Sequence, residues 1–295
     1  LTQIKHELDS LTIPWEQSSS GITYIWNGVE CHLTTQSMFD GMLERFITRR
    51  GVVWTSQEGC QEVSKVASNH NGIATYIHSI SPTGLLSTKI NAKWVFVPSK
   101  FVADRVSQSC KPLLFRPPIT WELYRSSFGS RSGVLFFNPI TEKGVNLAIT
   151  LARSLSSTPF QFVEGWWDVT NEIIGFPRNV EYIRKLPDPR ILFRKKRLLI
   201  VPSEIQDASP RVILEAISQG CPVLGAPVGG IPEYLDDAYL CRSTQDWWNK
   251  TRCITTNIDV WNNTILKQMQ HNQTSLSNPF SPLHDSGLVQ EALER

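Results

Sequence analysis

Pro202–Leu235, PSEIQDASPRVILEAISQGCPVLGAPVGGIPEYL, is the stretch on which the fold turns. It follows Leu198–Val201, four consecutive apolar residues that read as a short strand buried on both faces. Polar residues intervene. Ser209-Pro210 then carries two marks of a helix start: an N-cap hydroxyl and a proline at the first helical position. Gln219-Gly220, with Pro222 behind it, is the matching stop, so the spacing predicts a helix over Pro210–Gln219. Pro222–Leu224 reads as the next strand and Ile231–Leu235 as another helix start. A helix whose amino end lies just past a strand's carboxyl end is the repeating unit of open α/β sheets. It is also where such sheets bind ligands and where backbone N–H groups favour phosphate.

Upstream, the same alternation continues. Gly133–Phe137, Phe160–Val163 and Val180–Ile183 read as strands, Val145–Ser154 as an amphipathic helix, and Pro189–Lys196 as a short one. Asn138–Gly144 is a loop, and the tail from about Ser243 to Arg295 is mostly helical in pattern. In the first part, Ile22–Trp26, Gly51–Trp54, Ile73–His78 and Lys93–Pro98 read as strands. Met38–Arg49, Glu58–Ser68 and Ser99–Ser109 read as helices between or after them, so a parallel sheet is expected there too. Lys111–Arg131, with Pro112, Pro117 and Pro118, reads as a domain connector or an ordinary surface loop.

Composition bounds the rest. A chain of 295 residues, 41% hydrophobic and 19% charged, suits two folded domains. A net charge of +2 predicts no strong pull toward nucleic acid. The apolar runs are strand-sized, short of the roughly 20 residues of a membrane helix, so membrane contact is expected to be peripheral. Cysteines at 31, 60, 110, 221, 241 and 253 form no CxxC pair, which suggests no zinc site and points to reduced thiols and a cytoplasmic setting. Asn-x-Ser/Thr triplets begin at Asn249, Asn262 and Asn272, a pattern common by chance.

One side chain stands out on physical grounds. Glu215 lies among Val212, Ile213, Leu214, Ala216 and Ile217, so its carboxylate is expected to be half-buried and to need partners. Arg211, one turn earlier, is one partner, in the weaker order for a helical ion pair; ligand hydroxyls are the other.

Asp207-x7-Glu215 resembles the E-x7-E motif of the retaining family 4 glycosyltransferases, with Asp in the first place. Gly229-Gly230-Ile231-Pro232-Glu233 resembles that family's GG-x-PE turn. Phe136-Phe137-Asn138-Pro139-Ile140-Thr141-Glu142-Lys143-Gly144 resembles its G-R-x3-EKG loop. The likeness is clear over Gly133–Leu240 and weaker over Ile73–Pro118, where VPSKFVADRV and RPPI fall in the expected order.

The resemblance implies a GT-B fold of two Rossmann-like domains. Residues 1–125 would form an acceptor-side domain and 126–280 a nucleotide-sugar-binding domain. A C-terminal helix over 281–295 would return to the first domain. The implied reaction moves a sugar from a nucleoside diphosphate to an unknown acceptor (glycan, lipid or small molecule) with retention, and without a metal or cofactor.

By position, Glu215 would hold the nucleotide ribose and Asp207 the donor sugar hydroxyls. Lys143 would sit on the diphosphate as a fixed cation for the leaving group or else be a solvated loop lysine, and Ser209 and Arg211 would offer backbone N–H groups. Asn138, Gly229 and Gly230 would line the donor site, and His78 would face the donor or else serve as a structural hydrogen-bonding residue. A nucleotide-sugar epimerase and a sugar-nucleotide-binding protein without turnover are the rival readings.

Departures from the family pattern accompany the likeness. Asn138 stands where the family carries Arg, and Asp207 is one methylene shorter than Glu. The chain opens at Leu1 on a helical pattern (Leu1, Ile4, Leu8, Leu11) where the family has a strand and glycine-rich loop. The first-domain sheet is therefore expected to lack its first strand and to leave a strand position unpaired.

Overall fold

The structure is a computed structural model, and it describes residues 5, 8–9, 12–18, 21–26, 29–33, 53–56, 73–78, 80, 92–107, 110–116, 130–165, 175–184 and 190–275. The chain divides into two compact units, Leu1–Tyr76 with Pro82–Val95, and Ile77–Ser81 with Phe96–Arg295. The helices expected over Met38–Arg49 and Glu58–Ser68, the boundary near residue 125 and the segment 281–295 lie outside the described residues.

In the first unit, β1 (Trp15–Ser18), β2 (Gly21–Trp26) and β3 (Val29–Leu33) form an antiparallel sheet in the order β1-β2-β3. Trp15 pairs with Tyr24, and Trp26 pairs with Val29. This corrects the expectation of a wholly parallel first part. The sequence held the signal: Asn27-Gly28 between two β-prone runs favours a two-residue hairpin turn. The parallel pair β4 (Val53–Ser56) and β5 (Ile73–Tyr76) is as expected in kind, with Val53 opposite Ile73. β6 (Trp94–Val97) follows.

The second unit carries helix α1 (Lys100–Val106), with Ser99 as N-cap: its hydroxyl accepts from the Val102 N–H. β7 (Pro112–Leu114) comes next, so the first part of the expected connector is a strand. Its chain continues into Phe115, whose N–H donates to the Val97 carbonyl at 2.8 Å.

The centre of this unit is a five-stranded sheet of β8 (Val134–Phe137), β9 (Phe160–Val163), β10 (Val180–Ile183), β11 (Leu198–Val201) and β12 (Val223–Gly225). All its pairings are parallel, and the order is β10-β9-β8-β11-β12. The chain thus winds outward from β8 in one direction, then reverses to place β11 on the other side. The reversal creates a topological switch point between β8 and β11.

Packing explains why this sheet is stable. α2 (Val145–Ser154) buries Val145, Ala148, Leu151 and Ala152, the spacing of one helical face. α4 (Arg211–Ser218), which follows the short α3 (Arg190–Phe193), buries Ile213, Leu214, Ala216 and Ile217. These side chains join Val134, Leu135, Phe136, Phe162 and Leu198–Ile200 in one hydrophobic core. α5 (Thr244–Thr256) and α6 (Ile258–Ser275) complete the unit. The Gln268 side chain accepts from the Val223 N–H at 2.9 Å and donates to the Val223 carbonyl, which joins α6 to the edge strand β12.

Candidate active site at the sheet switch point

A cavity of about 470 Å³ opens at the carboxyl ends of β8, β9 and β11, at the switch point. That volume falls within the roughly 300–1,000 Å³ of small-molecule sites. The three strands supply its apolar floor (Phe136, Phe137, Val163 and Leu199–Val201), and the loops after them supply its polar groups.

Asn138 follows β8. Its φ of +56° turns the chain sharply, a conformation that Asn tolerates better than most residues. The side-chain Oδ1 is buried without a hydrogen-bond partner. The amide occupies the space that a side chain on Gly165 would fill, since a Cβ there would lie 1.0 Å from Oδ1. Ser203, after β11, is 3% exposed, and its hydroxyl is likewise without a partner. Both residues line the cavity from adjacent strands. Orphaned buried polar atoms are uncommon, and two on one cavity wall mark a place for a polar ligand.

Lys143 ends a 3₁₀ turn, Thr141–Lys143. Gly144 follows with φ +85°, and a Cβ on it would lie 2.0 Å from the Pro202 carbonyl oxygen, so only glycine fits. The Glu142 carbonyl accepts from the Glu204 N–H at 3.0 Å, which ties this turn to the loop after β11. Across that junction, Lys143 Nζ lies 2.5 Å from Asp207 Oδ2, with side chains 24% and 20% exposed.

Asp207 is held from behind by the glycine pair. Its carbonyl accepts from the Gly230 N–H at 2.7 Å. Gly229 has φ +59°, and a Cβ on it would meet the Asp207 carbonyl oxygen at 2.3 Å. Gly229 and Gly230 therefore back the cavity wall, and they are absent from its lining.

The helix α4 begins one residue later than expected. Its N-cap is Pro210, with no side-chain cap bond, rather than Ser209. The Ser209 hydroxyl is taken by the Tyr234 hydroxyl at 2.5 Å, which outcompetes local capping. Burial raises the Tyr234 pKa, so its hydroxyl stays protonated. Ser209, Pro210, Arg211 and Val212 all line the cavity, so the helix's amino end faces it. Glu215 lines it one turn on, 17% exposed, with its carboxylate 3.7 Å from the Arg211 guanidinium. Glu215 therefore pairs with Arg211 and also lines the cavity, so the geometry leaves both readings of this residue open.

The structure brings Asn138, Lys143, Asp207, Ser209, Arg211 and Glu215 to one cavity. His78 is exposed after β5 and is not part of that lining. Sequence reading missed Ser203, Glu164 and Gly165, although each lies within two residues of a strand's carboxyl end, the position that signals a ligand wall. It also left Glu233 without a role. The Glu233 carboxylate accepts from the Lys100 and Phe101 N–H groups at 3.0 and 2.8 Å and pairs with Arg116 at 3.2 Å. It thereby caps the amino end of α1. Among the described residues, no group of three His, Cys, Asp or Glu is arranged to hold a metal ion, and no helix is long and apolar enough to cross a membrane.

Comparisons with known proteins agree with this geometry. Residues 172–275 match the family model of the glycosyl transferases group 1. No curated protein matches the chain in sequence. Among solved structures, Anabaena HepE in complex with UDP is similar, with a TM-score of 0.74 at 15% identity over 88% of this chain and 82% of that one. A glycosyltransferase from Rickettsia africae gives 0.70 at 13% identity over 98% and 86%. Sucrose-phosphate synthase from Thermosynechococcus elongatus gives 0.65 at 15% over 95% and 85%. Residues 172–275 are thus similar to the group 1 glycosyl transferases, and the chain has the α/β fold of the GT-B glycosyltransferases.

Proposed function

We propose that this protein transfers a sugar from a nucleoside diphosphate sugar to an acceptor, with retention at the anomeric carbon, as in the family 4 enzymes it resembles. One observation carries the reading: the cavity at the switch point combines two cations (Lys143 and Arg211), three carboxylates (Glu164, Asp207 and Glu215) and a helix amino end that has no side-chain cap. Glu215 accepts from the two ribose hydroxyls, which satisfies a carboxylate held among apolar residues. Lys143 and the amino end of α4 take the diphosphate, where negative charge grows as the sugar leaves. Asp207 accepts from hydroxyls of the sugar. The C1–O bond to phosphate breaks as the acceptor oxygen bonds to C1, and the acceptor's proton passes to the departing diphosphate.

HepE is solved with UDP, with UDP and glucose, and with UDP-glucose, which makes uridine nucleotides the first donors to try. A cytoplasmic setting fits a donor of this class, and the described cysteines (Cys31, Cys110, Cys221, Cys241 and Cys253) form no disulfide. The test is a thermal-shift panel of nucleoside diphosphates and their sugars, followed by donor-turnover assays. Specific donors should raise the melting temperature by mass action and be consumed in the presence of an acceptor. Binding without turnover on any acceptor would favour a binding protein, and interconversion of the free sugar nucleotide would favour an epimerase. No shift with any nucleotide would overturn the proposal.

A further inference from the structure

Lys143 is engaged within the protein itself. Its ammonium group lies 2.5 Å from Asp207 Oδ2, and both residues sit on closely packed backbone. Gly144, next to Lys143, is wedged against the Pro202 carbonyl; Asp207 is wedged against Gly229 and bonded to Gly230. The other charged residues lining the cavity are Glu164, Arg211 and Glu215, so its wall holds three carboxylates against two cations, with Arg211 beside Glu215. Such a wall is unwelcoming to a bare anion.

We infer that Asp207 makes this site discriminate between the sugar-bearing donor and the bare nucleoside diphosphate left after transfer. The inference rests on the proposed function and deepens it. A diphosphate that takes Lys143 must compete with the Asp207 carboxylate for its charge and lie beside it. With a sugar attached, hydroxyls offer Asp207 new hydrogen-bond donors, and its charge is satisfied. Without the sugar it faces a phosphate with no donor between them, and the two anions repel. Asp207 therefore acts as a built-in competitor that weakens product binding more than donor binding, so the spent nucleotide is released.

The experiment is calorimetry on wild type and Asp207→Asn with three probes: inorganic pyrophosphate, UDP and UDP-glucose. The amide keeps the shape and removes the charge, which leaves Lys143 uncommitted. Asp207→Asn should tighten pyrophosphate and UDP by about three- to thirtyfold, the range of a partly buried charge pair released. UDP-glucose should gain less or lose affinity, so the donor-to-product preference falls. The gain for pyrophosphate should vanish in a Lys143→Gln background, which separates release of this lysine from a general change in charge. Unchanged or weaker pyrophosphate binding in Asp207→Asn overturns the inference, as does an equal gain for UDP and UDP-glucose. A wild type that ignores UDP-glucose counts against uridine donors, while the pyrophosphate comparison still decides whether Asp207 masks Lys143.

Discussion

Glu215→Gln perturbs the central carboxylate of the site while keeping its shape. The carboxylate lies 3.7 Å from the Arg211 guanidinium, with Glu215 17% exposed and Arg211 52%. An i,i+4 pair with the cation first and one half-exposed partner contributes only about 0.3–0.5 kcal/mol. Its loss should lower the melting temperature by only about 1–2 °C in a domain of this size. The effect on ligand is expected to be larger. Two ribose hydroxyls donate to two carboxylate oxygens in the proposed complex, and the change replaces one acceptor with an NH2 donor and removes the charge. Hydrogen bonds to charged groups contribute about 1.5–3 kcal/mol, so a net loss of about 1–3 kcal/mol is expected, or roughly 5- to 150-fold in Kd. Titration calorimetry with UDP and with its 2′,3′-dideoxy analogue separates the causes, because the analogue has no ribose hydroxyls to lose. The expected result is a large loss for UDP and a small one for the analogue. Equal losses would refute the ribose assignment and leave Glu215 as the partner of Arg211 alone.

Lys143→Ala should weaken UDP more than uridine, by about 1.5–3 kcal/mol in titration calorimetry; equal losses would leave Lys143 no phosphate role. Gly229→Ala places a side chain at φ +59°, with its Cβ 2.3 Å from the Asp207 carbonyl oxygen. The left-handed backbone alone costs about 1–2 kcal/mol, so the urea midpoint should fall and UDP-glucose binding should weaken as Asp207 shifts; no change in either would refute the wedge. Burial pushes the Cys221 and Cys241 thiols up to about 12 from their ordinary 9.0. The native state therefore keeps protons that the unfolded chain sheds, and the stability they contribute is whole below about pH 9 and lost as pH rises toward about 12. Each thiol can add at most about 1.4 kcal/mol per pH unit to that slope, and Cys221→Ala should flatten urea-unfolding stability against pH above about 9.

The sequence by itself determined those parts that depend on neighbours a few residues away. Val145–Ser154, Phe160–Val163, Val180–Ile183 and Leu198–Val201 keep the bounds that periodicity and flanking residues set. The burial of Glu215 was legible because its apolar neighbours share one helix. Wherever a distant group competed, local signals were overridden. Ser209 gives up the N-cap position to bond Tyr234, and Lys111–Arg131, read as a connector or surface loop, contains the strand Pro112–Leu114. The convergence of the site lay beyond sequence reading for the same reason. Asn138 and Ser203 share a wall only because β11 returns to lie against β8, and Asp207 meets Lys143 64 residues away through that same pairing. Glu233 caps a helix 133 residues upstream, a partnership that no local pattern encodes. Periodicity and capping are set by backbone geometry over a turn or two. Strand order is set by how whole faces bury against one another, so the cavity's polar residues become a site only once the sheet has formed.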